Sequence, residues 1–238
     1  MTKGSPLHVA AGLLALAAAP ALSATLLSAD FTGMIPGQPV GTGGPAVGEP
    51  VSTENCIATI RDAPFPSTCL EIDDETDFGT GGVTFEFLED AEVIAGSVEI
   101  SAKLWFAEDN QYYFYVRENG GAASSFITMY MQEGGAVLVN DAAGSVGVIG
   151  QFTTGRAIEL RLVFNQDART YDLWWDGAQV LNDRAHGVAD RGVGSVLMGI
   201  DHDADLDGLF LVDDLLVQSG PITAGEDGTW GGIKAAWR

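Results

Sequence analysis

Six aspartates lie within residues 201–217, DHDADLDGLFLVDDLLV. Read from the second of them, the spacing D-x-D-x-D-G places Asp203, Asp205 and Asp207 at the first, third and fifth ligand positions of a calcium loop. Asp214 falls at the twelfth position. The apolar run that follows favours a strand, so an EF-hand, which needs a helix on each side, is not expected. The turn is therefore predicted either to bind Ca²⁺ or to be a solvated acidic surface.

A second group of carboxylates has a spacing that could support catalysis. Glu71, Asp73 and Glu75 alternate in the run EIDDE, so on a strand all three would share one face. The outer two carboxyl groups, at the ends of long side chains, could then approach to about 6–7 Å, near the separations found in glycosidases. The alternative interpretation is a charged edge strand without catalytic function.

Several aromatic residues are candidates for stacking on sugar rings. Trp105, Tyr113, Tyr115 and Trp174 lie opposite the apolar faces of their strands, and Arg117 is in phase with Tyr115. The alternative is that these rings pack between sheets or under loops, because large aromatic residues usually belong to cores.

The elements that must position these residues are strands. Apolar residues alternate with polar ones through most of residues 25–219, and no ten-residue segment there has a convincing helical period. About eleven strands fit, separated by Gly-rich turns. The sequence predicts an all-β sandwich or jelly roll of two antiparallel sheets.

Three of these segments, in this order, resemble the concanavalin A-like lectin/glucanase superfamily, including its laminin-G-like modules. They are the strand ADF (29–31), the hairpin YDLWWDG (171–177) and the closing strand VDDLLV (212–217). The resemblance covers roughly residues 25–219. It implies a jelly roll that often carries calcium and often binds carbohydrate.

The same resemblance suggests roles for individual carboxylates. In related modules an aspartate of the last strand helps to hold a structural calcium near the first strand, so Asp30 with Asp213 or Asp214 forms a second candidate metal site. The run EIDDE resembles the catalytic strand of laminarinase-type hydrolases. By that resemblance Glu71 would be the nucleophile and Glu75 the acid/base, assisted by Asp73.

The two ends of the chain differ from its middle. Residues 1–24 have a basic start, an apolar core and a small-x-small site, which predict a signal peptide and a secreted protein, extracellular or periplasmic. No later segment is apolar for long enough to predict a membrane span. Residues 220–238 form a tail with Trp230 and Trp237, predicted to be either a frayed terminus or a short helix that docks to an export or envelope partner.

Cysteine content and charge narrow the possible partners. Cys56 and Cys69 are the only cysteines, and in an exported protein they are expected to form a disulfide. The formal net charge of −22 opposes binding to nucleic acid or to an anionic membrane. Calcium and neutral polysaccharide remain compatible with it.

Together these patterns predict an exported, calcium-associated jelly roll that binds polysaccharide or another cell-surface ligand without catalysis. One alternative is a glycoside hydrolase that uses Glu71 and Glu75. Another is a structural or adhesive surface protein docked by its C-terminal tail.

Overall fold

The computed structural model describes residues 23–40, 50–54, 56–74, 81–87, 92–119, 125–201 and 208–220. Several predictions lie outside these ranges: the signal peptide up to residue 22, Glu75, the acidic turn with Asp203, Asp205 and Asp207, and the tail beyond residue 220.

The described residues form fifteen strands and no helix. The strands are β1 (Ala24–Ala29), β2 (Pro50–Glu54), β3 (Cys56–Arg61), β4 (Cys69–Asp74), β5 (Gly81–Glu86), β6 (Ser97–Phe106), β7 (Tyr112–Arg117), β8 (Ser125–Met131), β9 (Ala136–Asp141), β10 (Gly144–Gln151), β11 (Ala157–Asn165), β12 (Thr170–Trp175), β13 (Ala178–Ala185), β14 (Ser195–Ile200) and β15 (Leu209–Gly220).

These strands form two sheets packed into a sandwich. Sheet A has the order β13-β12-β11-β6-β15-β4-β3, and β1 also pairs with β15. Sheet B has the order β10-β9-β8-β7-β14-β5-β2. Every pairing between these strands is antiparallel. The prediction of an all-β fold with two antiparallel sheets is confirmed.

One apolar core lies between the sheets, and the alternation of side chains along the strands produces it. On β11 the even-numbered apolar residues are fully buried, whereas the odd-numbered residues between them lie half-buried on the outer face. Phe106 of β6 stacks on Phe210 of β15 with ring centroids 5.3 Å apart. Each such ring stabilises the fold by about 1.5–3 kcal/mol through burial alone.

Strand β15 is central to sheet A, and it changes partner halfway along. Residues 209–212 pair with β4, residues 215–219 pair with β1, and β6 borders the other side throughout. Asp213 and Asp214 lie at the change, where the register with β6 shifts. The backbone of Asp214 adopts a φ of 51°, which is typical of such a bulge.

The carboxylate of Asp213 is only 1% exposed at this junction. One of its oxygens accepts a hydrogen bond from the Ser67 hydroxyl at 2.8 Å, and the other accepts the Asp214 amide at 2.8 Å. Burial raises the pKa of Asp213, and the hydrogen bond from Ser67 opposes that rise. The buried carboxylate thus ties the segment before β4 to the middle of β15.

The structure contradicts the predicted disulfide. Strands β3 and β4 form a hairpin in which Cys56 is opposite Asp74 and Cys69 is opposite Arg61. The two cysteines therefore lie at opposite ends of the hairpin, about 16 Å apart at the usual rise per strand residue. A disulfide needs Cα atoms within about 7 Å. Both cysteines are free.

A buried histidine lies at the end of the core where β13 ends and β14 begins. His186 is 0% exposed and lies between the rings of Phe126 and Phe164, at centroid distances of 5.1 and 6.3 Å. Its Nδ1 accepts the Val188 amide at 3.2 Å, so the neutral ring carries its proton on Nε2. Burial lowers the pKa of His186, and the charge of Arg169 lowers it further.

We predict that both thiols can be titrated without reductant. In denaturant, two thiols per chain should react with a disulfide reagent such as DTNB, and prior reduction should not change that number. In the native protein Cys69 should react slowly, because burial raises the pKa of its thiol to about 12. Cys56→Ser is the matched control: it should remove the faster native reaction. A count near zero in unreduced denatured protein would restore the disulfide.

We also predict that His186 makes the fold less stable as the pH falls. The unfolded chain takes up a proton near pH 6.5, whereas the buried ring, whose folded pKa is lower, does not. The contribution of the neutral His186 ring to the free energy of unfolding is therefore fully present above pH 6.5 and declines as the pH falls through that value. Urea unfolding at pH 7.5 and pH 5.5 measures the decline. His186→Gln, which cannot titrate, should show a smaller one; equal declines would contradict this role.

Candidate functional site

The structure separates the residues predicted to bind a ligand into two groups. Trp105 and Trp174 lie on the outer face of sheet A, on β6 and β12. Tyr113, Tyr115 and Arg117 lie on the outer face of sheet B, all on β7. The two groups face away from each other across the sandwich and cannot contact one small ligand together.

Both tryptophans on sheet A already have partners within the protein. Trp105 is half-buried and meets the ring of Phe65 edge to face, with centroids 6.2 Å apart. The guanidinium of Arg161 lies 4.4 Å from the ring centroid of Trp174. That guanidinium is also held by Glu99, at 2.7 Å. These contacts fix the orientation of both rings.

The carboxylates predicted to be catalytic also lie on sheet A. Glu71 is half-buried, forms an ion pair with Arg61 and accepts a hydrogen bond from Thr59 at 3.4 Å. Asp73 lies two residues further along the same strand face. Because Glu75 lies outside the described residues, the catalytic pair stays a prediction.

The carboxylates of the second predicted calcium site already have partners within the protein. Asp214 forms an ion pair with Lys103, and both oxygens of Asp213 accept hydrogen bonds from the protein. Asp30 accepts the amide of Thr32 at 3.1 Å. Within the described ranges, no three His, Cys, Asp or Glu side chains gather to hold a metal ion. The calcium prediction for the acidic turn falls on residues that those ranges omit.

Sheet B presents a connected set of aromatic side chains, here called the tyrosine surface: Tyr113, Tyr115 and Arg117 of β7 with Tyr130 of β8. The Tyr115 hydroxyl donates to the Tyr130 hydroxyl at 3.0 Å. The rings of Tyr113 and Tyr115 have centroids 4.8 Å apart, and the Arg117 guanidinium lies 4.7 Å from the centroid of Tyr115. Each contact limits the orientation of the next side chain.

Tyr113 is the base of this surface rather than an exposed member. It is 2% exposed, and its hydroxyl donates to the Gly81 carbonyl at 2.9 Å. Gly82 and Gly199 make room for it, since a Cβ atom would lie 2.1 Å from that hydroxyl oxygen at Gly82 and 2.6 Å at Gly199. Tyr113 therefore leans across two neighbouring strands and supports the ring of Tyr115.

Half-buried polar side chains surround the exposed part of the tyrosine surface. Thr128 is opposite Tyr115 in the pairing of β8 with β7, and Asn140 is opposite Thr128 in the pairing of β9 with β8. Burial raises the pKa of Tyr115; the hydrogen bond with Tyr130 and the charge of Asp201 raise it further. The Tyr115 hydroxyl therefore stays neutral at physiological pH. The surface offers hydroxyl, amide and guanidinium groups beside aromatic rings.

Sequence reasoning identified three of the four residues of the tyrosine surface and missed Tyr130. The signal for it was present, because Thr128 and Tyr130 alternate with the buried Ile127, Met129 and Met131 in β8. The strand order, which brings β8 beside β7, is a long-range property that alternation does not contain.

No helix in the described part of the chain is long and apolar enough to cross a membrane. No protein-family model matches the chain, and no curated protein matches it in sequence.

Solved structures with a similar fold do exist. A sialidase matches with a TM-score of 0.56 at 10% identity, over 73% of this chain and 17% of its own. A carbohydrate esterase from Shiga toxin-encoding bacteriophage phi24B matches with a TM-score of 0.50 at 15% identity, over 71% of this chain and 89% of its own. A mutant Trypanosoma rangeli sialidase displaying trans-sialidase activity matches with a TM-score of 0.50 at 10% identity, over 71% of this chain and 28% of its own.

The chain thus spans less than a third of either sialidase but most of the phage esterase. At these identities the similarity concerns the fold alone. The sandwich of this chain is an architecture that also occurs in proteins acting on carbohydrates.

Proposed function

We propose that this protein is an exported, concanavalin A-like jelly roll that binds carbohydrate on the tyrosine surface and does not cleave it. The observation that carries the proposal is the pairing of Tyr115 with Tyr130, fixed from one side by Arg117 and from the other by Tyr113. Rings whose orientation is already set lose little conformational entropy when a ligand stacks on them.

The chemistry of the surface suits a neutral sugar. Hydroxyl groups of a sugar both donate and accept hydrogen bonds, and the two tyrosine hydroxyls, Thr128 and Asn140 can do the same. Arg117 adds donors beside the ring of Tyr115. The apolar face of a pyranose could contact the exposed part of an aromatic ring.

The charge of the chain supports a neutral rather than an acidic polysaccharide. With a formal net charge of −22, the protein repels polyanions at long range. The similar fold of a sialidase and of a phage carbohydrate esterase agrees with a carbohydrate ligand at the level of architecture.

Removing one hydroxyl or one ring of the tyrosine surface should weaken binding to polysaccharide. Tyr130→Phe removes only a hydroxyl, and we expect a severalfold loss, as for one hydrogen bond of about 0.5–1.5 kcal/mol. Tyr115→Ala should weaken binding at least tenfold, which corresponds to about 1.4 kcal/mol of binding free energy. Electrophoresis in gels containing a neutral β-glucan, xylan or agarose measures the retardation.

The matched control is Trp174→Ala, which removes a half-buried aromatic ring from the outer face of the opposite sheet. It should leave retardation unchanged. If Trp174→Ala abolished retardation while Tyr115→Ala did not, the binding face would be sheet A. Release of reducing ends from the same polysaccharides, lost in Glu71→Gln, would instead favour the hydrolase.

We further propose that the acidic turn, which follows Asp201 after the end of β14, holds calcium. Asp201, the residue before the turn, donates its amide to the Gln111 carbonyl at 2.8 Å, and its charge acts on Tyr115. Oxygen ligands on a short loop are what Ca²⁺ requires.

Calcium should then stabilise the folded protein. At one hundred times its dissociation constant a ligand adds about 2.7 kcal/mol, which would raise the thermal midpoint by several degrees relative to EDTA. Asn at Asp203, Asp205 and Asp207 should remove that rise, whereas the matched Asp30→Asn should keep it. Equal midpoints in calcium and EDTA would leave the turn as solvated surface.

A further inference from the structure

A pocket of about 410 Å³ opens at the end of the sandwich where β6 begins and β11 ends. Three connections form it: the loop between β11 and β12, the loop between β13 and β14, and the residues that lead into β6. Its lining consists of Ile94, Gln166, Asp167, Arg169, Val188, Asp190 and Arg191. The volume is within the range of small-molecule sites in proteins.

The charged groups of this end pocket are already paired within the protein. Arg169 lies 3.4 Å from Asp190, and Arg191 forms an ion pair with Glu118. Asp167 accepts the amide of Gly96 at 3.0 Å. The lining itself carries two arginines and two aspartates, so its formal charge is zero. A charged ligand would have to compete with these contacts, whereas a neutral polar ligand could bind beside them.

The neutral amide of Gln166 is the polar group whose hydrogen bonds are incomplete. Gln166 is 7% exposed, and among the described residues its side-chain Nε2 has no hydrogen-bond partner. An unsatisfied buried amide costs about 1–3 kcal/mol, so a ligand acceptor would bind favourably to Gln166 once its side chain turned toward the pocket. Ile94, 69% exposed, and Val188 give the same pocket an apolar wall.

The end pocket adjoins the tyrosine surface. Arg117 closes β7, and the next residue, Glu118, holds the guanidinium of Arg191 in the pocket lining. The carbonyl of Arg117 also accepts the amide of Gly194, three residues beyond Arg191. One chain of sugar units could therefore contact both places.

We propose that the end pocket is a saccharide subsite that takes one neutral sugar unit of the chain whose other units lie on the tyrosine surface. This rests on the function proposed above and adds a position and a ligand class to it. Arg169, Asp167 and Asp190 offer donors and acceptors to hydroxyl groups, Gln166 offers its amide, and Ile94 faces the apolar side of the ring.

The test uses isothermal titration of the full protein with neutral laminari-, cello- and xylo-oligosaccharides of two to six units. Gln166→Met keeps the length of the side chain and removes the amide. It should weaken the best-bound oligosaccharide at least threefold while leaving the thermal midpoint unchanged or higher, because an unsatisfied buried group is removed. A purely structural role of Gln166 would lower the midpoint without this selective loss.

A second variant blocks the end pocket by size. Ile94→Trp should weaken the same oligosaccharide at least tenfold, and Ile35→Trp, at a position 60% exposed elsewhere on the surface, is its control and should have no effect. If Ile94→Trp fails to fold, Gln166→Met decides alone.

The outcomes separate the two proposals. Binding that Tyr115→Ala weakens but both pocket variants leave intact would overturn the subsite and keep the tyrosine surface. Tighter binding of uronic acid oligosaccharides than of neutral ones would overturn the assigned ligand class. If neither oligosaccharides nor polysaccharides bind the wild-type protein, both proposals fail.

Discussion

The fold depends on how one long strand, β15, pairs with its neighbours. Strand β15 runs the length of sheet A, and on one side two shorter strands, β4 and β1, meet end to end beside it. Such a junction breaks the ladder of backbone hydrogen bonds, and the buried carboxylate of Asp213 supplies acceptors there for Ser67 and for the amide of Asp214. Asp213, a charged residue in an otherwise apolar strand, thus contributes to the pairing of the strands through its two hydrogen bonds.

Much of the fold follows from local pattern. The period of two in the apolar residues defines the strands and which side chains face the core, and β11 shows this residue by residue. The pattern does not tell which strands are neighbours. It therefore could not show that Trp105 and Trp174 lie on one sheet and the tyrosines on the other.

The cysteines illustrate the same limit. Their separation of thirteen residues is compatible with a closed loop, and only the hairpin register shows that Cys56 and Cys69 lie at opposite ends of it. Likewise the end pocket joins residues from three separate connections, the first and last of which contribute Ile94 and Arg191. No periodicity or short motif relates them.

Gly82 and Gly199 have a consequence for how this protein can change over evolution. Both lie on strands beneath the ring of Tyr113, and any side chain there would collide with its hydroxyl. Substitution at Gly82, where the hydroxyl oxygen is the atom nearest to an added Cβ, would displace that ring and the rings resting on it. At Gly199 an added Cβ would also meet the Gly81 carbonyl oxygen at 2.0 Å and so disturb the pairing of β14 with β5. The arrangement of the aromatic rings on sheet B can therefore be altered by mutations that leave every aromatic residue in place.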